Sequence, residues 1–170
     1  MLHCEARRDA RRDAGGAYVP LSKQDTSRWS LPMIEEAECF LRQASSAGRV
    51  GRFQLEAAIQ PAHAHSAPTG VTDWETISVP FEGLVTLAPT IGARVGHAAS
   101  VAEARGPEAG WRLLRNVAQA DVVSYQPYWA LAAHLLKALG RGAEAAQAYE
   151  LAIGLCEDPA TRDLLRRQSR

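Results

Sequence analysis

From residue 30 onward, apolar residues recur three and four positions apart, the spacing that gathers them on one face of an α-helix. Ser30, followed by Leu31 and Pro32, marks a helix start, with serine as cap and proline in the first turn. The pattern continues through Ile34, Ala37, Cys39-Phe40-Leu41 and Ala44, and Gly48 ends it. A second helix is predicted from about Arg52 through Phe53, Leu55, Ala58, Ile59 and Ala62, then a loop over 66–70. Asp73 stands where a cap belongs, ahead of a helix from Trp74 to Leu87. Further helices are predicted at about 91–105, 107–118, 126–139, 142–156 and 159–168, punctuated by Gly106, Gly140 and Asp158-Pro159. The first thirty residues break this rhythm: a helix tail over 1–12, a Gly15-Gly16 turn, an extended stretch over 17–21, and a single turn capped by Asp25.

The spacing within the last helices is more specific. In a 34-residue frame opening at Gln126, Trp129, Ala133, Leu136, Gly140, Ala145, Tyr149 and Ala152 fall at positions 4, 8, 11, 15, 20, 24 and 27. That order of large and small residues resembles a tetratricopeptide repeat. Its logic is steric: antiparallel helices approach closely only where small residues such as Ala133 and Ala145 face each other, and large ones fill the groove to the next pair. One frame earlier stand Val95, Ala99, Ala102 and Gly106, and a further shift reaches Phe81 and Pro89. The expectation is an all-α fold: a right-handed tetratricopeptide-like stack of helical hairpins over 31–170, with an irregular N-terminal arm over 1–30 in the same domain. Trp111 falls where the repeat calls for a small residue, so it is expected to splay its hairpin or enter a groove. Pro61, Pro80, Gly83, Gly96 and Gly110 fall inside predicted helices, where each costs about 1–3 kcal/mol in an exposed interior.

Composition narrows the function classes. Of 170 residues, 46% are apolar and 22% charged, and 19 basic residues balance 19 acidic ones, so there is no basic excess to drive nucleic-acid binding. Cys4, Cys39 and Cys156 are too few and too scattered for a disulfide framework or a paired-cysteine metal site. No apolar run approaches the roughly 18–20 residues that span a bilayer, and no signal-peptide pattern opens the chain, so a cytoplasmic protein is expected.

Several blocks in a fixed order carry a further resemblance. They are Met1 to Arg8 leading into Asp13-Ala14-Gly15-Gly16-Ala17-Tyr18-Val19-Pro20-Leu21, then Gln24-Asp25-Thr26-Ser27-Arg28-Trp29-Ser30 with Met33 to Glu36. After these come Phe53-Gln54 with Ala57-Ala58-Ile59, Thr72-Asp73-Trp74, and Val101 to Ala109. The order resembles the C-terminal extension of a group of bacterial extracytoplasmic-function RNA polymerase sigma factors, and the Gln-Asp-x-x-Arg-Trp block is its most specific element. The resemblance implies a tetratricopeptide-like domain that follows the promoter-binding regions, with partners among those upstream regions or core RNA polymerase. Those regions are absent ahead of Met1, so the chain is expected not to bind promoter DNA by itself. An excised domain, a truncated gene and an internal start all fit that departure. Pro61 and Pro80 also depart from the continuous helix the family pattern implies.

Catalytic chemistry finds little support. His63 and His65 stand two apart, which on a helix turns them away from each other, and His97 or His134 would have to complete a zinc set. No G-x-S-x-G elbow, Cys–His pairing or phosphate-binding loop is present. Glu35, Glu36 and Glu38 suit the start of a helix. Arg7, Arg8, Arg11 and Arg12 alternate with Asp9 and Asp13, as on a solvated, partly self-paired face. No enzyme activity, cofactor, metal or membrane contact is expected. A small helical metal-dependent hydrolase and a non-functional truncated product are the alternatives. For partner binding, Asp25, Arg28 and Trp29 are expected to dock the arm on the helices, and Arg94, Tyr125 and Tyr128 to line a groove.

Overall fold

The computed structural model describes residues 2–46, 48, 50–59 and 72–170. Pro61, His63, His65, the end of the second predicted helix and the loop over 66–70 lie outside the described residues. The regular structure of the described residues is all helical, with no strand beyond an isolated antiparallel bridge between Arg12 and Tyr18. No helix among them is long and apolar enough to cross a membrane. Contacts group the chain into two compact units, Met1–Leu87 and Ala88–Arg170. The arm of 1–30 falls wholly in the first unit, and the stretch expected as one domain from residue 31 divides at 87/88.

In the first unit a short helix, α1 (Leu2–Glu5), leads into 3-10 turns at Arg8–Ala10, Leu21–Lys23 and Thr26–Arg28. Helix α2 (Leu31–Ser46) starts where Ser30 and Pro32 place it, with the Ser30 carbonyl accepting from the Ile34 N–H at 3.2 Å. A helical segment over 52–59 (α3) and helix α4 (Trp74–Leu87) follow. Asp73 caps α4, accepting from the Thr76 N–H at 3.0 Å and its hydroxyl at 2.6 Å. Both expected helix breakers in α4 are accommodated. The helix runs through Pro80, and Gly83 lets Leu55 of α3 approach within 3.2 Å of where a Cβ would stand. Buried apolar side chains are few: Ala6, Ala10, Trp29, Ile59, Ile77 and Leu84.

The second unit holds the larger core. Its helices are α5 (Ile91–Arg105), α6 (Pro107–Leu114), α7 (Gln119–Val122), α8 (Gln126–Ala138), α9 (Gly142–Gly154) and α10 (Pro159–Gln168). Helix α5 packs along α6 and α8 along α9, while α6 meets α8 and α9 meets α10. Leu114, Val122, Ala133, Leu135, Tyr149 and Ala152 are among the fully enclosed residues. Thr90 and Asp158 cap α5 and α10 through the Ala93 and Thr161 N–H groups. Gly106 and Gly140 both take positive φ, +92° and +73°, a backbone that favours glycine where the chain reverses between paired helices.

The two turns differ in length, and that difference moves the close contact. Gly106 alone separates α5 from α6, whereas Leu139, Gly140 and Arg141 separate α8 from α9. In α8 and α9 the small residues Ala133 and Ala145 are both buried, at 0% and 3% exposure. In α5 and α6 the shorter turn puts Gly110, not Trp111, against the partner helix. A Cβ on Gly110 would stand 2.4 Å from the Ala102 Cβ and 2.7 Å from the Ala98 carbonyl oxygen. Trp111 therefore neither splays the hairpin nor needs to be small. It sits half-buried beside the core, with the Arg141 guanidinium 5.2 Å from its ring centre.

Candidate functional site

The block Asp25 to Ser30 folds back onto the start of the chain. The Asp25 carboxylate accepts from the Ser27 N–H at 3.0 Å and the Ser27 hydroxyl at 2.7 Å, capping the last 3-10 turn. Those bonds hold its carboxyl below the usual aspartate range. One turn on, the Arg28 guanidinium donates to the Arg12 carbonyl at 3.2 Å, and the Ser30 N–H donates to the Ala6 carbonyl at 2.8 Å. Between them Trp29 is 7% exposed, with the Arg7 guanidinium 5.7 Å from its ring centre. Arg28 and Trp29 are thus brought against the arm, while Asp25 acts locally.

Arg7, Arg8, Arg11 and Arg12 are anchored to the arm itself. Arg8 pairs with Glu5 at 2.7 Å, Arg11 donates to the Cys4 carbonyl at 2.6 Å, and Arg12 donates to the Gly16 carbonyl at 3.0 Å. Arg7 donates to the His3 carbonyl at 3.2 Å. The interleaved Asp13 turns to the backbone, accepting from the Gly15 and Ala17 N–H groups at 2.9 Å each. His3 is buried, and burial first, then the neighbouring Arg7 charge, push its pKa below the ordinary histidine value against the opposing pull of Glu38. A buried histidine and a tryptophan–arginine stack so near the start of the chain had no spacing signal to reveal them.

Several large apolar side chains of the first unit are exposed. Not one of the sixteen residues of α2 is buried. Ile34, Ala37, Leu41 and Ala44 are half-covered, and Met33 and Phe40, seven residues apart, share another face of the helix. Phe40 is 56% exposed, Leu31 66% and Phe53 of α3 77%. Scattered exposed apolar residues need no explanation, but a whole helix of four turns without one buried side chain does.

In the second unit Arg94 projects from α5 and is exposed. Tyr125, just before α8, is half-buried, with its hydroxyl 3.2 Å from where a Cβ on Gly92 would stand. Tyr128 does not line a groove. At 5% exposure it is a core residue, packed edge-on against Trp129 with ring centres 5.1 Å apart, and burial raises its phenol pKa. Its neighbour Trp129 is the half-exposed one and donates its ring N–H to the Val122 carbonyl at 3.0 Å.

Among the described residues no three His, Cys, Asp or Glu side chains converge to hold a metal ion. Cys4 and Cys39 are exposed and Cys156 is buried, all as free thiols. Two open pockets mark the second unit. One, of about 330 Å³, lies between the start of α8 and the α9–α10 junction, beside Gln126, Cys156, Asp158 and Thr161. The other, of about 350 Å³, lies at the C-terminal ends of α8 and α10, beside His134, Lys137, Tyr149 and Arg167.

Residues 1–45, the arm and nearly all of α2, match a family of unknown function (DUF6596). The chain is also 36% identical over 168 residues to an uncharacterized protein of Rhizobium meliloti (strain 1021). That alignment covers 99% of this chain and 39% of the relative, so the chain spans well under half the length of the protein it resembles. No solved structure matches.

Proposed function

We propose that the chain is a non-catalytic protein-interaction module acting in transcription initiation, through contact with the promoter-binding regions of a sigma factor or with core RNA polymerase. The observation that carries the binding role is α2: a four-turn helix bearing Leu31, Met33, Phe40 and Leu41 with no buried side chain. Covering such residues is worth about 1.5–3 kcal/mol for each large side chain taken fully out of water. A partner surface supplies that cover where the unit's own core does not. The choice of partner follows the resemblance of the Gln24 to Trp29 block and its neighbours to the extension of extracytoplasmic-function sigma factors. An alignment that takes in 99% of this chain and 39% of a longer relative is in keeping with a module of a larger protein.

The second unit fits this reading as a tetratricopeptide-like pair of hairpins, α5 with α6 and α8 with α9, each reversed at a glycine of positive φ. In this reading Arg28 and Trp29 act indirectly, holding the arm in place beside α2. Arg94 and Tyr125 remain candidate contacts of the second unit. Biolayer interferometry against purified sigma promoter-binding regions and against core polymerase tests the proposal. Saturable binding to either, weakened at least about tenfold (about 1.4 kcal/mol) by Phe40→Asp with Phe53→Asp, supports it. Absence of binding to both, or binding indifferent to the two substitutions, refutes it.

A further inference from the structure

Helix α2 carries a second apolar pattern beside its half-covered face. Met33, Ala37, Phe40 and Ala44 follow one another at steps of four, three and four, the spacing of a seam along which two helices pack knobs into holes. Met33 and Phe40 are exposed, Ala37 and Ala44 are half-covered, and none of the four is buried. Large residues alternate with alanines, so the seam offers both knobs and the gaps that take a partner's large side chains. At its end the Gln54 side-chain amide donates to the Ala44 carbonyl at 2.6 Å, which sets the start of α3, with exposed Phe53, beside the last turn of α2.

The residues flanking the seam decide what fits it. Ile34 and Leu41 lie along one side, Glu36 and Gln43 along the other, and none of them is a cation. Glu36 is exposed, three residues after Met33 and four before Phe40, and has no ion pair among the described residues. Over the whole helix three glutamates, Glu35, Glu36 and Glu38, stand against one arginine, Arg42, which reaches Glu38 at 3.7 Å. A second copy of the chain would lay this acidic surplus against itself, with no cation on either flank. A helix carrying lysine or arginine beside its apolar seam meets Glu36 with the opposite charge.

We propose that the seam over 33–44 docks a basic amphipathic helix of about three turns, with large apolar side chains seated on Ala37 and Ala44 and a lysine or arginine paired with Glu36. The inference rests on the interaction role proposed above and deepens it by naming the shape and charge of the partner segment. In helix-on-helix recognition of this kind, apolar anchors at three- and four-residue intervals supply the affinity. Flanking charges set the choice of partner.

Fluorescence anisotropy of labelled synthetic helical peptides, titrated with the full chain, tests this. Three peptides share one leucine seam and differ only in the flanking residues, which are lysine, glutamine or glutamate. The lysine peptide is expected to bind about fivefold more tightly than the glutamate peptide and to weaken in about 0.5 M sodium chloride. Phe40→Asp, at an exposed position, is expected to abolish its binding, and Glu36→Lys to reverse the order of the two charged peptides. Equal affinity for all three peptides, an order kept in Glu36→Lys, or no binding of the lysine peptide would each overturn the proposal. So would a dimer of the full chain, seen by sedimentation, that Phe40→Asp dissolves. The peptides contain no sigma region and no polymerase, so the two readings fail separately. Sigma or polymerase binding that is lost in Phe40→Asp with Phe53→Asp but indifferent to Glu36→Lys leaves the interaction role standing and overturns this inference.

Discussion

Replacing Gly110 by alanine isolates the contact that sets the first hairpin of the second unit. The added Cβ would lie 2.4 Å from the Ala102 Cβ, 2.7 Å from the Ala98 carbonyl oxygen and 3.0 Å from the Ala102 Cα. Carbon atoms rest at about 3.5–4.0 Å, so α6 must retreat from α5 by roughly 1 Å or more. A gap of that size forfeits a quarter to a half of each dispersion contact along the interface. Overpacking of this kind costs about 1–3 kcal/mol. Against it stands the helix-propensity gain of glycine to alanine, about 0.5–1 kcal/mol. The net expectation is destabilisation by about 1–2 kcal/mol, and each kcal/mol lowers the melting point by about 4–8 °C in a unit of this size. Gly142→Ala is the control, because nothing lies within 4 Å of the position its Cβ would take. Circular dichroism at 222 nm during thermal and urea unfolding reads both variants. If Gly110→Ala melts at or above the unsubstituted protein, the close approach of α5 and α6 at this glycine is refuted.

Two further predictions concern the first unit. Trp29→Ala removes the largest buried side chain of the arm and should cost about 3–5 kcal/mol locally; trypsin should then cut within residues 1–30 well before the rest of the chain, and unchanged protection of that segment would dismiss the docking role. His3 has a folded-state pKa below its unfolded value of about 6.5. The unfolded chain therefore takes up a proton first, so stability is intact above that value and falls as pH drops from it toward the folded pKa. Imidazole shifts followed by NMR should give His3 a midpoint below 6.5, and a midpoint at or above it would contradict the burial described here.

Much of the helical layout is legible because its boundaries are written in local chemistry. Ser30 with Pro32, Asp73, Pro107 and Asp158 with Pro159 start helices, and Gly106 and Gly140 end them at positive φ. What escaped a sequence reading depends on tertiary packing. The predicted helix 107–118 stops at Leu114, with a separate turn of helix at Gln119–Val122. No glycine or proline marks that break; it lets Leu114, Val117 and Val122 enter one core. The single-residue turn at Gly106 likewise brings Gly110, rather than Trp111, against α5.

The surface residues were harder still, since periodicity reports which face is apolar but not whether the fold covers it. Tyr128 and Trp129 are adjacent aromatics, and only the packed core decides that the tyrosine goes inside. Helix α2 reads from its pattern as an ordinary amphipathic helix, yet none of its apolar residues is buried.

The most direct test follows amide hydrogen exchange across α2 and α3, with and without the sigma promoter-binding regions or core polymerase. The account predicts that residues 31–46 and 52–59 gain protection on complex formation and lose that gain in the Phe40→Asp, Phe53→Asp variant. A complex that forms while exchange over α2 stays unchanged would contradict it.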